Sequence, residues 1–175
     1  MDDIIKIFIN NPEKEFYVRE IAKIMKVSPT TISKYLKKYK REGILISENK
    51  LNHLIFKANI NSRKFRLVKL FYNLELIEDS KLLDYLEHEF NYPKAIILFG
   101  SFAKAENIST SDIDLLIVSS EKKKVDFSKF EKKLRYKIQL FVHSQKEIER
   151  FKKENKELIN SWINGITLYG FFEVV

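Results

Sequence analysis

Two runs constrain this fold more than any other feature of the chain: Ala95–Phe99 and Leu115–Val118, both wholly apolar. They are far shorter than the ~20 apolar residues that span a bilayer. Their length, and the polar residues around them, match buried β-strands. They sit in a chain of 175 residues with 45% hydrophobic content, enough for one domain or two small ones and too apolar for wholesale disorder. The chain has no cysteine, which excludes disulfide scaffolds and thiolate metal sites. It opens Met1-Asp2-Asp3, with no basic segment ahead of an apolar core. No signal peptide and no membrane partner are therefore expected, and the expected location is the cytoplasm.

Charge divides the chain. Residues 1–66 hold 15 Lys plus Arg against 7 Asp plus Glu, whereas residues 67–175 hold 17 of each. The whole excess of +8 thus lies in the first third. Two readings stand: a basic module that meets nucleic acid, or a lysine-rich solvated surface.

The spacing of Ile4, Ile5, Phe8 and Ile9 predicts a helix over residues 2–10, closed by Asn11-Pro12. Residues 15–18 read as a short extended piece. A second helix is expected over 19–26, carrying Ile21, Ala22, Ile24 and Met25. Ser28-Pro29 supplies an N-cap and a first-turn proline for a third helix, which Gly43 ends. On that helix Ile32, Tyr35, Leu36 and Tyr39 form the expected buried stripe, and Thr30, Lys34, Lys37 and Arg41 lie opposite. A hairpin is expected next, from Ile44–Ser47 and Leu51–Ala58 around a polar turn at Glu48-Asn49-Lys50.

Residues 1–60 thus resemble the winged helix-turn-helix of bacterial and archaeal repressors. The resemblance implies duplex DNA as partner, with the third helix in the major groove. Thr30, Thr31 and Ser33 would reach base edges, and Lys34, Lys37, Lys38, Arg41 and Lys50 would neutralise phosphates. A winged helix used for protein contacts is the alternative. Phe65, Leu67, Val68, Leu70, Phe71 and Leu74, then Leu82, Leu83, Leu86 and Phe90, predict a helical connector over 63–92. The polar stretch Glu75–Asp79 is a partial break in it, and its apolar faces offer a homodimer interface.

From residue 93 the chain reads strand, Gly100-Ser101, a short helix, then Asp112-Ile113-Asp114 opening the next apolar run. Gly100 permits a sharp turn and close approach to a ligand. Ser101 falls at a helix start, where free N–H groups favour phosphate. Asp112 and Asp114, two apart on a strand, project from one face and suit a Mg²⁺ that also contacts a triphosphate. Residues 93–172 are similar to the minimal nucleotidyltransferases of the DNA polymerase beta superfamily. The resemblance implies an NTP as ligand, Mg²⁺ as cofactor, a mixed β-sheet with flanking helices, and a terminal strand at Gly165–Gly170. Lys104 stands where such chains often carry a basic residue; it contacts phosphate or is a solvated surface lysine. Lys104 and Ala105 replace a frequent Arg-Gly pair.

The resemblance also implies a third carboxylate on a neighbouring strand, here Lys137–His143, at the position of Gln139. An amide carries no negative charge and is a weaker ligand for a divalent ion. His143, about 13 Å along the same strand face, is too far to replace it. The expectation is an α+β protein in three parts: a winged helix-turn-helix over 1–62, a helical connector over 63–92 and a nucleotidyltransferase-like domain over 93–175. Its expected role is a DNA-binding regulator whose second domain binds NTP with Mg²⁺ and transfers weakly or not at all. The alternatives are an active nucleotidyltransferase acting on a hydroxyl, or an antitoxin-like partner of a helical HEPN protein.

Overall fold

The computed structural model describes residues 3–50 and 53–173. It divides into two compact units, Met1–Tyr72 and Asn73–Val175. Among the described residues no helix is long and apolar enough to cross a membrane.

The first unit contains α1 (Asp3–Asn10), β1 (Phe16–Tyr17), α2 (Val18–Met25), α3 (Pro29–Arg41), β2 (Leu45–Lys50) and β3 (His53–Ala58), followed by the start of α4 (Arg63–Ser80). The strands form an antiparallel sheet in the order β1-β3-β2. Helices α2 and α3 with this sheet make a winged helix-turn-helix. One core of Ile5, Phe8, Phe16, Ile21, Ile32, Leu36, Leu45, Phe56 and Phe65 holds the elements together. Each fully buried side chain of this size contributes roughly 1.5–3 kcal/mol from area removed from water.

Sequence periodicity overreaches at two places in this unit. Tyr35 is 38% exposed, and Ile24 on α2 is 54% exposed. At 100° per residue Tyr35 lies 60° from Ile32, at the edge of a stripe that Ile32, Leu36 and Tyr39 already fill. The polar triplet Glu48-Asn49-Lys50 is not a turn but the end of β2, paired opposite Ile55, Leu54 and His53. On an edge strand facing water, polarity carries no turn signal. The expected strand start at Leu51, like Asp2 in the first helix, lies outside the described residues.

Helix α4 continues through Glu75–Asp79 without the expected break. The chain instead breaks at Lys81, which adopts a left-handed φ of 67° before α5 (Leu82–Glu89). Most apolar residues of the expected connector are committed to cores. Phe65, Val68 and Tyr72 pack in the first. Leu74, Leu76, Ile77, Leu82, Leu83, Leu86 and Phe90 pack in the second. Leu67 and Phe71 stay 54% and 61% exposed.

The second unit adds β4 (Ala95–Phe99), α6 (Gly100–Ala103), β5 (Ile113–Val118), α7 (Ser128–Leu134), β6 (Ile138–His143), α8 (Gln145–Glu154), α9 (Lys156–Ile163) and β7 (Ile166–Gly170). The sheet order is β6-β5-β4-β7, with β5 and β6 parallel and the other pairs antiparallel. Both faces are covered, which explains the unbroken apolar runs. Ile96, Leu98, Leu115 and Ile117 point to the side of α5 and α7. Ala95, Ile97, Phe99, Leu116 and Val118 point to the side of Ile148, Ile159 and Trp162 on α8 and α9.

Candidate functional site

Strand β4 ends at Phe99, directly opposite Asp114 of β5. Gly100 then turns the chain with φ at +70°. A Cβ built there would overlap Oδ2 of Asp114 and lie 3.1 Å from its Cγ. Glycine is therefore required twice, for the backbone angle and for the space the carboxylate fills. Ser101 is half-buried in α6, a helix of only four residues. One turn sums few peptide dipoles, so the free amides offer less to an anion than a full helix does. Lys104 caps this turn and is exposed. Ala105 follows, buried, in a left-handed conformation with φ at 57°.

Asp114 sits second in β5 on the face of Leu116 and Val118, whereas Asp112 is exposed one residue ahead of the strand. The expectation of both carboxylates on the strand holds for Asp114 alone. Burial pushes the Asp114 carboxyl above its usual range, and the charge of Asp112 adds to the shift. Two carboxylates in this relation repel until a cation joins them. Mg²⁺ is commonly bound by one or two carboxylates plus substrate phosphates, and this donor set fits that use. Asp112 and Asp114 would hold the ion, which would supply charge neutralisation for the phosphates.

The parallel β5–β6 register puts Gln139 beside Asp114, at the ordinary interstrand spacing of about 4.8 Å. Gln139, Phe141 and His143 share a face, with Gln139 exposed. His143 packs against Phe151 and Trp162, so its ring belongs to the core under α8 and α9. Three further acids, Glu131, Asp126 and Glu121, are engaged elsewhere. Glu131 Oε1 accepts from the Ile138 amide at 3.0 Å. Asp126 accepts from the Ser128 amide at 2.9 Å. Glu121 lies 3.5 Å from Lys123. Among the described residues no three His, Asp or Glu side chains are grouped to hold a metal.

This geometry predicts a stability gain from removing the Asp114 charge. An acid whose folded pKa is raised weakens the fold once it ionises, as pH climbs from its ordinary value of 3.8 through the folded value. Asp114→Asn should raise Tm at neutral pH, and the gain should vanish below about pH 4. Thermal melts at pH 7 and pH 3.5 test this. An unchanged or lower Tm at pH 7 contradicts it.

The basic face of the first unit is built on α3. Ser28 caps the helix by accepting from the Thr31 amide at 3.2 Å, and its hydroxyl meets that of Thr31 at 2.9 Å. Thr31 is thus tied to its own cap. Thr30, Ser33, Lys34 and Lys37 line an open groove of about 600 Å³ together with Val18, Arg19 and Pro29. Arg19, in the first turn of α2, escaped the sequence reading because the fold alone brings it opposite α3. Arg41 is exposed, and Lys38 lies 4.0 Å from Glu42. Lys50 stands apart from this groove: its ammonium lies 2.6 Å from Glu15 and 3.1 Å from Glu48. These two acids offset the charge that the winged-helix resemblance implies for phosphate.

Strand β4 thus ends in a glycine–serine turn, with Asp114 on the adjacent strand and Asp112 just ahead of it. The model described as "Nucleotidyltransferase domain" matches residues 79–169, just over half of the chain, and the chain belongs to that family. Two solved structures share weaker likeness. A mutant of ZitR from Lactococcus lactis is 18% identical with a TM-score of 0.38, covering 51% of this chain and 62% of its own. HmgR from Pseudomonas aeruginosa is 14% identical with a TM-score of 0.30, covering 70% of this chain and 47% of its own. This chain thus spans less than two thirds of either structure. No curated protein matches it.

Proposed function

We propose that this chain is a cytoplasmic DNA-binding regulator-like protein whose nucleotidyltransferase-fold unit binds an NTP with Mg²⁺ and has little or no transfer activity. The observation that carries the reading is the β5–β6 register, which sets an amide beside Asp114 where a third carboxylate is needed. Gly100, Ser101 and Lys104 are the proposed phosphate contacts, and Asp112 and Asp114 the proposed Mg²⁺ ligands. Two carboxylates suffice for an ion shared with the triphosphate. Activation of an attacking hydroxyl draws on a second, more anionic set, and Gln139 removes one charge from it.

Duplex DNA is the proposed partner of the α3 groove. The support is its shape and the cations Arg19, Lys34 and Lys37 on its rim. A symmetric pair of chains would read two half-sites. Leu67 and Phe71 are the exposed apolar residues that α4 offers for such a contact.

The test is isothermal titration with ATP and Mg²⁺, followed by an assay of pyrophosphate release in the presence of duplex DNA and other hydroxyl acceptors. Binding without release is the expected result, with Asp112→Asn weakening binding by about tenfold or more, equivalent to about 1.4 kcal/mol. Gln139→Asp is expected to raise any residual release. Robust release by the wild type, dependent on Asp112 and Asp114, would install an active nucleotidyltransferase in place of this reading.

A further inference from the structure

Asn73 is 1% exposed in the middle of α4, one turn beyond the buried Lys69. Its Nδ2 carries two hydrogens, and both are used. One goes to the carbonyl of Phe102 at 3.0 Å, the other to Oδ1 of Asn107 at 2.8 Å. Asn107 is itself only 3% exposed. A buried amide is costly without its partners, so a side chain of leucine's shape would serve mere packing at least as well. The pair of acceptors indicates what the polar group is for.

Those acceptors lie on the segment that carries the candidate site. Phe102 follows Ser101 directly, and Asn107 lies five residues before Asp112. No helix or strand intervenes between Ala103 and Ile113. The chain turns at Ala105, an L-residue held at φ 57°, a left-handed conformation that disfavours any residue with a Cβ. Around this corner the Ala105 amide donates to Phe102 O at 3.2 Å and the Glu106 amide to Ser101 O at 2.9 Å. Beyond Asn107, the Ile108 amide donates to Ser111 Oγ at 2.9 Å and the Ser111 amide to Ile108 O at 3.0 Å. Asp112 comes next. The Asn73 amide thus ties both limbs of the corner to one point on a rigid helix.

We propose that Asn73 is a positioning residue for the nucleotide site, holding the 102–111 segment so that Ser101 and Asp112 face the same phosphates. The proposal rests on the nucleotide-binding reading above. Ser101 and Asp112 stand at opposite ends of an irregular segment, and misplacement by 1 Å is enough to lose a productive contact. Asn73 touches no phosphate in this arrangement; it acts through the loop.

The test compares full-length wild type, Asn73→Leu, Asn107→Ala and a control, Ile148→Val, in the core beneath α8. Two readouts are taken. The first is amide hydrogen exchange at Ile108 and Ser111 without nucleotide. Asn73→Leu should speed it at least tenfold, and Ile148→Val should leave it unchanged. The second is ATP affinity with Mg²⁺ and with EDTA. Asn73→Leu should weaken the Mg²⁺ arm about tenfold and shrink the gain that Mg²⁺ gives. A general loss of folding would instead weaken both arms together. Asn107→Ala, which keeps the bond to Phe102, should fall between the two and serves if Asn73→Leu does not fold. Wild-type binding with exchange and Mg²⁺ gain within twofold in both variants overturns the role of Asn73 alone. A wild type with no Mg²⁺-dependent ATP binding overturns the nucleotide reading, and this proposal with it, whatever the exchange shows.

Discussion

Gly100→Ala is expected to abolish Mg²⁺-dependent ATP binding and to destabilise the Asn73–Val175 unit by about 2–4 kcal/mol. Two costs add. An alanine at φ +70° meets its own carbonyl, a penalty of roughly 1–2 kcal/mol. The new Cβ would also occupy the space of the Asp114 carboxylate. Asp114 cannot retreat freely, since its backbone is paired to Phe99 on one side and to Gln139 on the other. The side chain must then leave its rotamer or the β4–α6 corner must move, and either displaces a proposed Mg²⁺ ligand. Gly43 provides the matching control. Its φ is +75°, yet a Cβ there meets nothing within 4 Å. Gly43→Ala should therefore cost only the backbone share, about 1 kcal/mol, and leave ATP affinity unchanged. Denaturant melts and ATP titrations of both variants decide the matter. ATP affinity within twofold of wild type in Gly100→Ala would refute the assignment of this corner to the nucleotide.

Reversal of two charges on α3 should have the other large effect. Lys34→Glu with Lys37→Glu turns two exposed cations on the rim of the α3 groove into two anions. If both meet phosphates, the slope of log affinity against log salt should fall in magnitude by about 1.8. Affinity at low salt should drop by roughly a hundredfold or more, to a similar degree for every duplex, because phosphate contacts carry no sequence information. Lys50→Ala should have a much smaller effect, since Glu15 and Glu48 already flank that ammonium. Fluorescence anisotropy on short duplexes at several salt concentrations measures all three. Equal binding by the double variant and the wild type removes α3 from the interface.

What could be read from the sequence was what depends on local spacing. Unbroken apolar runs at 95–99 and 115–118 belong to strands covered on both faces. The alternation in Ile138–His143 put Gln139, Phe141 and His143 on one face of β6, and the β5–β6 register sets that face beside Asp114. Ser28-Pro29 marked the start of α3, and the cap hydrogen bond is present. What depends on a second segment could not be read. Tyr35 has a helical spacing that fits the core, but its neighbours had already filled it. Glu48-Asn49-Lys50 is polar because it faces water and the acid Glu15, 35 residues from Lys50, a relation that only the sheet creates. Arg19 and Asn73 carry no motif. Each gains its place from a contact across the fold, the latter with Asn107, 34 positions away.

The sharing of α4 between two cores makes this chain hard to take apart. A fragment stopped at residue 62 would lose Phe65, a fully buried ring whose removal costs about 3–5 kcal/mol, together with Val68 and Tyr72. A fragment begun at residue 93 would lose Leu82, Leu86 and Phe90 from the other side. Each half keeps its whole core only when the cut falls inside α4, between Tyr72 and Asn73. Swapping the front half for a different reader of DNA, by recombination or by design, must therefore preserve a seam inside a helix, where a hinge of glycine or proline would otherwise have offered a clean joint.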